Sequence, residues 1–217
     1  FNLFVVTLFA APKREFIHRE AEKVYFPVGK SQLNWDFGNN DIALQSMVSS
    51  MLNHALDSTI QLKTILIQGN ASPEGSVELN KKISTLRAKT MYEYLSKELQ
   101  IGDSLVVVYA MGRSWRRLIQ MVEKDLNTPD RADLLPLLRD IAYEADFGVK
   151  PNIDHVVRLQ NFKGGKAYKY MYRNHFPKLR STYVCFEYVT DNPAFRRKYG
   201  DDLDWLATSD TLYTDTL

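Results

Sequence analysis

The sequence predicts an α+β fold in which helices pack on a mixed sheet. Between residues 23 and 110, three strand patterns alternate with two helix patterns. A mostly helical stretch follows from about residue 113 to 180, and a further strand pattern closes the region at Thr182–Val189. Alternating strands and helices imply crossover connections, so the helices should cover a sheet that the last strand joins after a helical insertion.

Composition narrows the class of protein. The chain has 217 residues, of which 45% are hydrophobic and 25% charged, which is typical of a globular protein and excludes a disordered chain or a membrane bundle. The formal net charge of +2 is too small to indicate a nucleic-acid partner. Cys185 is the single cysteine, which excludes an internal disulfide and a cysteine-based zinc site.

The two ends differ in character from the middle. The first 11 residues are apolar but shorter than the ~20 that a membrane-spanning helix needs. We favour a strand that ends at Pro12, with a leftover hydrophobic segment as the alternative. From Asp191 onward, the chain contains six acidic and three basic residues. We therefore expect one domain over residues 1–190, with the insertion at about 113–180, and a polar tail over 191–217.

Periodicity places the individual elements. In the first half, proline and glycine bound the strands, and Leu105–Ala110 is an unbroken apolar run typical of a strand buried on both faces. In the insertion, Ser114 and Thr128-Pro129 are helix-start signals, and Pro136 should kink or divide the helix in which it lies. The remaining predicted elements are strands at Lys23–Gly29 and Leu62–Gln68, the latter ended by Gly69, and helices at 41–56, 77–99, His155–Leu159 and Ala167–Asn174.

Catalytic and metal-binding patterns are not apparent. The four histidines, at positions 18, 54, 155 and 175, are scattered and form no HxxxH pair, so their spacing predicts no metal site. Cys185 lies mid-strand among large apolar residues, where a thiol acts as a small core hydrophobe. The chain has neither a GxSxG turn nor a P-loop. We therefore predict a non-enzyme with no cofactor and no metal.

A basic segment follows at Phe162–Arg180. It contains six lysines and arginines and no acidic residue, and tyrosines are interleaved among them. Such a surface can hold an RNA strand or a glycan. A solvated basic face with the side-chain stems lying along apolar surface explains the same pattern, and we favour that interpretation.

The loop at residues 69–76 is the sharpest candidate for a binding site. A strand ends, a polar loop with proline and glycine follows, and a long helix begins. Loops of this kind bind ligands in α/β sheets, and helix N-terminal amides favour anions. Arg87 lies about three turns into the helix, where it can reach a ligand lying along that face. A packed turn without a ligand explains the loop equally well.

The motifs around this loop resemble a known family. The run Gly69-Asn70-Ala71-Ser72-Pro73-Glu74-Gly75-Ser76 is followed by Asn80 and by Ile83-Ser84-Thr85-Leu86-Arg87-Ala88, and Val24-Tyr25-Phe26-Pro27-Val28-Gly29-Lys30-Ser31 precedes it. In this order they resemble the OmpA-like C-terminal domain. The Ala-Ser-Pro-Glu-Gly loop and the helical insertion look like a Bacteroidetes-type branch, which occurs in outer-membrane and fimbria-associated proteins.

The resemblance implies a fold, a ligand and a location. The fold is β-α-β-α-β with a further strand, and the location is the periplasm or the outer membrane. The family holds the diaminopimelate residue of the peptidoglycan stem peptide between a loop Asp and a helix Arg. Arg87 matches that Arg and Asn80 matches a helix Asn, whereas Ser72 stands at the Asp position. A hydroxyl offers only a neutral hydrogen bond, about half as strong as one to a carboxylate.

The ligand-binding residues that the resemblance implies are Asn70, Ser72, Glu74, Asn80 and Arg87, with Glu74 as the replacement for the missing carboxylate. Two functions remain open. The first is a non-catalytic cell-envelope domain that binds peptidoglycan. The alternative is a structural or assembly protein of an outer-membrane or fimbrial complex, in which the same fold makes protein–protein contacts. No nucleic acid is expected as a partner, and no transmembrane segment is predicted in this chain.

Overall fold

The computed structural model describes residues 16–190 and 192–194. Strands and helices alternate through the first half, and helices fill the region before the last strand. Short 3₁₀ helices lie at Asp103–Leu105 and Phe162–Gly165. In chain order the elements are β1 Phe16–Tyr25, α1 Asn40–Ala55, β2 Ile60–Ala71, α2 Val77–Leu99, β3 Val106–Arg113, α3 Trp115–Lys124, α4 Arg131–Asp146, α5 His155–Asn161, α6 Lys166–Asn174, α7 Phe176–Leu179 and β4 Ser181–Thr190.

The sheet is mixed, and its last strand in sequence lies in its interior. The strand order is β1-β4-β2-β3. Strand β4 runs antiparallel to both neighbours, whereas β2 and β3 are parallel. The α+β class, the mixed sheet and the helices inserted before the last strand are thus confirmed. Because β4 is interior, the chain that leaves β3 at one edge must cross back to the middle of the sheet.

The buried apolar side chains form two main clusters. One lies between the sheet and the helices α1 and α2 and includes Leu44, Ile65, Met91 and Phe186. The other lies within the insertion and is built by residues of α3 to α7. The insertion therefore has an apolar core of its own and does not depend on the sheet for all of its burial. Among the described residues, no helix is both long enough and apolar enough to cross a membrane.

The first strand is displaced from its predicted position. The sequence places a strand at Lys23–Gly29, but β1 ends at Tyr25. The Asn40 amide forms hydrogen bonds with the Tyr25 backbone, accepting from its N–H at 2.7 Å and donating to its C=O at 2.9 Å. Two residues later Pro27 has no N–H to offer a ladder. The strand predicted for the first 11 residues lies outside the described part of the chain.

The predicted burial of β3 is wrong. The apolar run at Leu105–Ala110 does form a strand, but β3 lies at an edge of the sheet and its burial pattern is largely exposed. Val108, for example, is 46% exposed. An apolar run identifies a strand that tolerates burial, but only the strand order decides whether a neighbour covers it.

One predicted element boundary is also wrong, since Gly69 does not end β2, which continues to Ala71. Of the two alternatives at Pro136, the division does not occur, because α4 runs over Arg131–Asp146 with the proline inside it. Gly69 is required because α2 approaches the backbone of β2 closely at this position. A Cβ added there would lie 2.0 Å from the Ser84 carbonyl oxygen of α2, so the missing side chain lets α2 pack directly on β2.

The substitution Gly69→Ala tests this close approach. We expect it to lower the free energy of unfolding by about 3 kcal/mol, because the methyl group meets helix backbone that cannot move aside. Gly102→Ala is the matched control, since its nearest atom would be 3.9 Å away and its φ of −70° suits alanine. Urea unfolding of both variants measures the difference, and equal stability of the two would contradict the packing argument.

Candidate functional site

The candidate site lies where β2 ends and α2 begins, in the loop Ser72–Ser76. Ser76 caps α2, because its Oγ accepts a hydrogen bond from the Leu79 N–H at 3.1 Å. Asn80 closes the loop from the next turn, donating from Nδ2 to the Glu74 carbonyl at 2.7 Å. Gly75 has a φ of +89°, which is a conformation that glycine adopts without strain. The loop is therefore held against the first turns of α2.

Arg87 is buried beneath this loop and is only 1% exposed. Its guanidinium donates to the backbone carbonyls of Asn70 at 2.8 Å, Lys30 at 3.0 Å and Pro27 at 3.4 Å. It also lies 5.2 Å from the centroid of the Phe26 ring. Burial, and to a lesser extent the nearby Arg180 charge, lowers the pKa of Arg87 to about 10, against a weaker opposing effect of Glu74. Arg87 remains a cation at neutral pH and ties the end of β2 to the β1–α1 connection.

Arg180 reaches the same place from the end of the insertion. It follows α7 and directly precedes β4. Its Nε donates to Glu74 Oε1 at 3.0 Å and to Ser72 Oγ at 3.2 Å, and its Nη2 bonds the same carboxylate oxygen. The two loop side chains that the resemblance implies as ligand contacts are thus both bound to Arg180. In the sequence analysis, Arg180 belongs to the basic segment Phe162–Arg180. No local sequence pattern indicates that its side chain is buried against the loop.

The charges in this cluster do not balance. Arg87 and Arg180 supply two positive charges against the single carboxylate of Glu74, and Arg87 makes no ion pair with the described residues. The second oxygen of that carboxylate, Oε2, is buried without a hydrogen-bond partner. A buried acceptor left in this way costs about 1–3 kcal/mol. Within the described residues, the cluster therefore has an excess of positive charge and one carboxylate oxygen that lacks a donor.

Asn70 links the site to the start of the insertion. It is buried, and its Oδ1 accepts hydrogen bonds from Gln68 Nε2 at 3.0 Å and from Ser114 Oγ at 3.1 Å. Ser114 precedes α3 as the sequence predicts, but its hydroxyl makes no capping hydrogen bond to that helix. Its bond to Asn70 instead ties the turn after β3 to the end of β2.

A cavity opens beside the loop, between β3 and the insertion. Its volume is about 570 Å³, and residues of β3, α3 and the segment before α5 line it. Arg113 separates the cavity from the loop, donating to the Gly75 carbonyl and pairing with Asp154 at 3.3 Å. Arg113, the last residue of β3, thus contacts both the loop and the insertion, whereas Arg180 contacts the loop from the end of the insertion.

The structure brings all five predicted site residues together at one junction. Four of them, however, are buried and already engaged within the protein: Asn70, Ser72, Asn80 and Arg87. Glu74 is the most accessible, with 22% of its side chain exposed. Their proposed contact with a ligand stays a prediction. In the basic segment, Lys163 pairs with Asp133. Four other cations are exposed, as the solvated-face interpretation expects: Lys166, Lys169, Arg173 and Lys178. Arg180 is the exception, because it is buried against Glu74.

Sequence reasoning missed one cluster of metal-ligating groups. His18, Glu20 and His54 lie together, with one ligand atom from each within 4.8 Å of the others. The only available signal is the alternation of His18 and Glu20, which puts both on one face of a strand. The misplaced first strand concealed that signal, and His54 lies far away in sequence.

Comparison with known proteins yields similarity to solved structures only. No family model matches the chain, and no curated protein matches it. The chain is similar to the peptidoglycan-associated lipoprotein from Burkholderia pseudomallei, with 24% identity, coverage of 42% of this chain and 70% of that chain, and a TM-score of 0.34. It is also similar to the OmpA-like domain of FopA1 from Francisella tularensis subsp. tularensis SCHU S4, with 11% identity, coverage of 79% and 73%, and a TM-score of 0.41. Both are likenesses of fold.

The substitution Arg87→Met tests the structural part of the site. We expect it to lower the free energy of unfolding by about 3 kcal/mol, because buried carbonyls lose their donors. Lys89→Met, two residues away on the same helix with 65% of its side chain exposed, should change stability by less than about 0.5 kcal/mol. Chemical unfolding compares the two variants. An Arg87→Met variant as stable as wild type would show that Arg87 does not hold the junction together.

Proposed function

We propose that the chain is a non-catalytic cell-envelope domain that binds the stem peptide of peptidoglycan non-covalently at the β2–α2 junction. The carrying observation is the unbalanced cluster, in which the Glu74 carboxylate is bonded to Arg180 while the charge of the buried Arg87 has no ion-pair partner among the described residues. Such a cluster suits a ligand that has both an ammonium and a carboxylate group. The motif order of the sequence supports the same ligand class.

A diaminopimelate residue offers both groups on one side chain. Glu74 would take the ammonium group, replacing the Asp that the resembling family has at the position of Ser72. Arg180 would turn its guanidinium to the carboxylate, since it already lies beside Glu74 at 3.0 Å. Arg87 would stay in place and add positive charge from below. Charge-assisted hydrogen bonds of this kind contribute about 1.5–3 kcal/mol each.

Binding without catalysis fits the groups in the cluster. The Glu74 carboxylate is held by Arg180, and in the part of the chain that the structure describes neither a second carboxylate nor a histidine is hydrogen-bonded to it. Hydrolysis of a glycan or peptide needs a positioned acid and base, or an activated nucleophile. A domain with this function works where the stem peptide is found, in the periplasm or at the outer membrane.

Sedimentation with purified peptidoglycan sacculi tests the proposal. Wild type should pellet with the sacculi, and Glu74→Gln should bind at least about tenfold more weakly, because it loses the charge that pairs with the ammonium group. Glu78→Gln is the matched control, since Glu78 is an exposed carboxylate in the first turn of α2 and, among the described residues, forms no ion pair with Arg87 or Arg180. A free stem peptide with diaminopimelate should release the protein, and one with lysine instead should release less.

Two outcomes would contradict this proposal. One is a wild-type protein that stays in the supernatant at every protein concentration. The other is equal binding by the Glu74→Gln and Glu78→Gln variants, which would show that the protein adheres to sacculi elsewhere. Circular dichroism of each variant ensures that only folded protein is compared.

A second candidate function, protein–protein contact in an envelope assembly, is favoured by the edge strand β3. Among the described residues, β3 pairs with β2 alone, so one row of its backbone N–H and C=O groups faces outward. Val107, Val108, Tyr109 and Met111 on this strand are all exposed. An exposed apolar edge is a template for an added strand from a partner. The occupant would be an extended apolar segment of a neighbouring envelope protein.

Site-specific photo-crosslinking distinguishes this second candidate. A photoreactive phenylalanine at Tyr109 should give one discrete protein adduct in the intact envelope. The same residue at Tyr143, an exposed tyrosine of α4, should give no such adduct. Adducts at both positions, or at neither, would contradict docking along β3.

A further inference from the structure

We propose that His18, Glu20 and His54 bind one divalent transition-metal ion of the zinc class, at the end of the sheet opposite the loop Ser72–Ser76. The inference is independent of the proposed peptidoglycan binding. It rests on where β1 and α1 place three ligating side chains, on the distances between their ligand atoms, and on the composition of the donor set.

The backbone brings the three side chains to one place. On β1, His18 and Glu20 are two residues apart and therefore point to the same face of the sheet. Helix α1 packs across that face, and His54 projects from its last turn. In the sheet His18 pairs with Tyr188, near the end of β4, whereas the loop Ser72–Ser76 lies near the start of β4. The two sites are separated by the length of the strand.

The distances between the ligand atoms fit a common metal ion. The Nε2 atoms of His18 and His54 lie 3.0 Å and 2.9 Å from the same oxygen, Glu20 Oε1. Tetrahedral zinc with bonds of ~2.0 Å puts its ligand atoms roughly 3.3 Å apart. The two contacts to Glu20 therefore need to lengthen by only a few tenths of an ångström, and the ligand atoms of His18 and His54 already lie within 4.8 Å of each other.

The donor set indicates the class of metal. Two imidazoles and one carboxylate suit Zn²⁺ and its first-row neighbours, whereas Mg²⁺ and Ca²⁺ prefer oxygen ligands alone. Three protein ligands leave one tetrahedral position for water or another small ligand. Glu20 lines a surface cavity of about 390 Å³ together with Glu22, so the carboxylate side of the cluster is open to an entering ion.

Surrounding groups hold the ligands in position. The Tyr188 ring lies 4.5 Å from the His54 ring and 6.3 Å from the His18 ring, centroid to centroid. Tyr188 is buried and forms an apolar wall behind both imidazoles. Ser50, one turn before His54, bonds the other oxygen of Glu20, so Oε1 stays directed at the two histidines. Such supporting contacts raise metal affinity by fixing the ligand orientation.

Isothermal titration calorimetry of the untagged full chain with Zn²⁺ alone tests the site. After chelator treatment, wild type should bind one ion with a dissociation constant below about 10 μM. His54→Gln and Glu20→Gln should each weaken binding by at least about tenfold, because each removes a direct ligand. Two such variants guard against one failing to fold. Titration with Mg²⁺ should give no binding.

His155→Gln is the matched control. His155 also bonds a carboxylate, that of Glu144 at 2.9 Å, but no second imidazole joins that pair among the described residues. Zinc binding should be unchanged in this variant. The proposal is overturned if wild type does not bind Zn²⁺, if binding survives both His54→Gln and Glu20→Gln, or if His155→Gln abolishes it. A negative zinc titration would not contradict the proposed binding to sacculi. A negative sedimentation assay would likewise not contradict the proposed metal site.

Discussion

The buried guanidinium of Arg87 joins three separate parts of the chain. It donates to the end of β2 and to two carbonyls of the β1–α1 connection, while its own helix α2 supports the loop Ser72–Ser76. A guanidinium has five donors in a rigid plane, so one side chain can satisfy several buried carbonyls that no secondary structure pairs. Those bonds therefore tie the end of β2 and the β1–α1 connection to the helix that supports the loop.

The position of β4 decides how the insertion meets this anchor. Because β4 lies between β1 and β2, the chain must return to the middle of the sheet after α7. The residue that makes this return is Arg180, whose carbonyl accepts from the Phe26 N–H at 2.8 Å and whose side chain holds Glu74. The insertion thus ends in direct contact with the candidate site. The positive charge of Arg180 also adds to that of Arg87 at the candidate site.

Sequence patterns over a few residues correctly predicted the elements whose bounds depend on neighbouring residues. Helix α2 has the predicted bounds, 77–99, because Ser76 can cap it and a long apolar stripe follows. The alternation of Val184, Phe186 and Tyr188 identified β4 and its core face. In contrast, the burial of β3 and the end of β1 depend on neighbours that are distant in sequence. For β1 that neighbour is Asn40, whose amide takes the hydrogen bonds of Tyr25.

The sequence by itself determined the order of the elements, the helical insertion and the position of the candidate loop with Glu74, Asn80 and Arg87. Periodicity, capping and turn residues act over a few positions, so they can be recognised without the fold. Only the tertiary structure decided that Arg180 binds Ser72 and Glu74, and that His54 meets His18 and Glu20. Those contacts join residues from distant segments, and their geometry arises only when the sheet order brings the segments together.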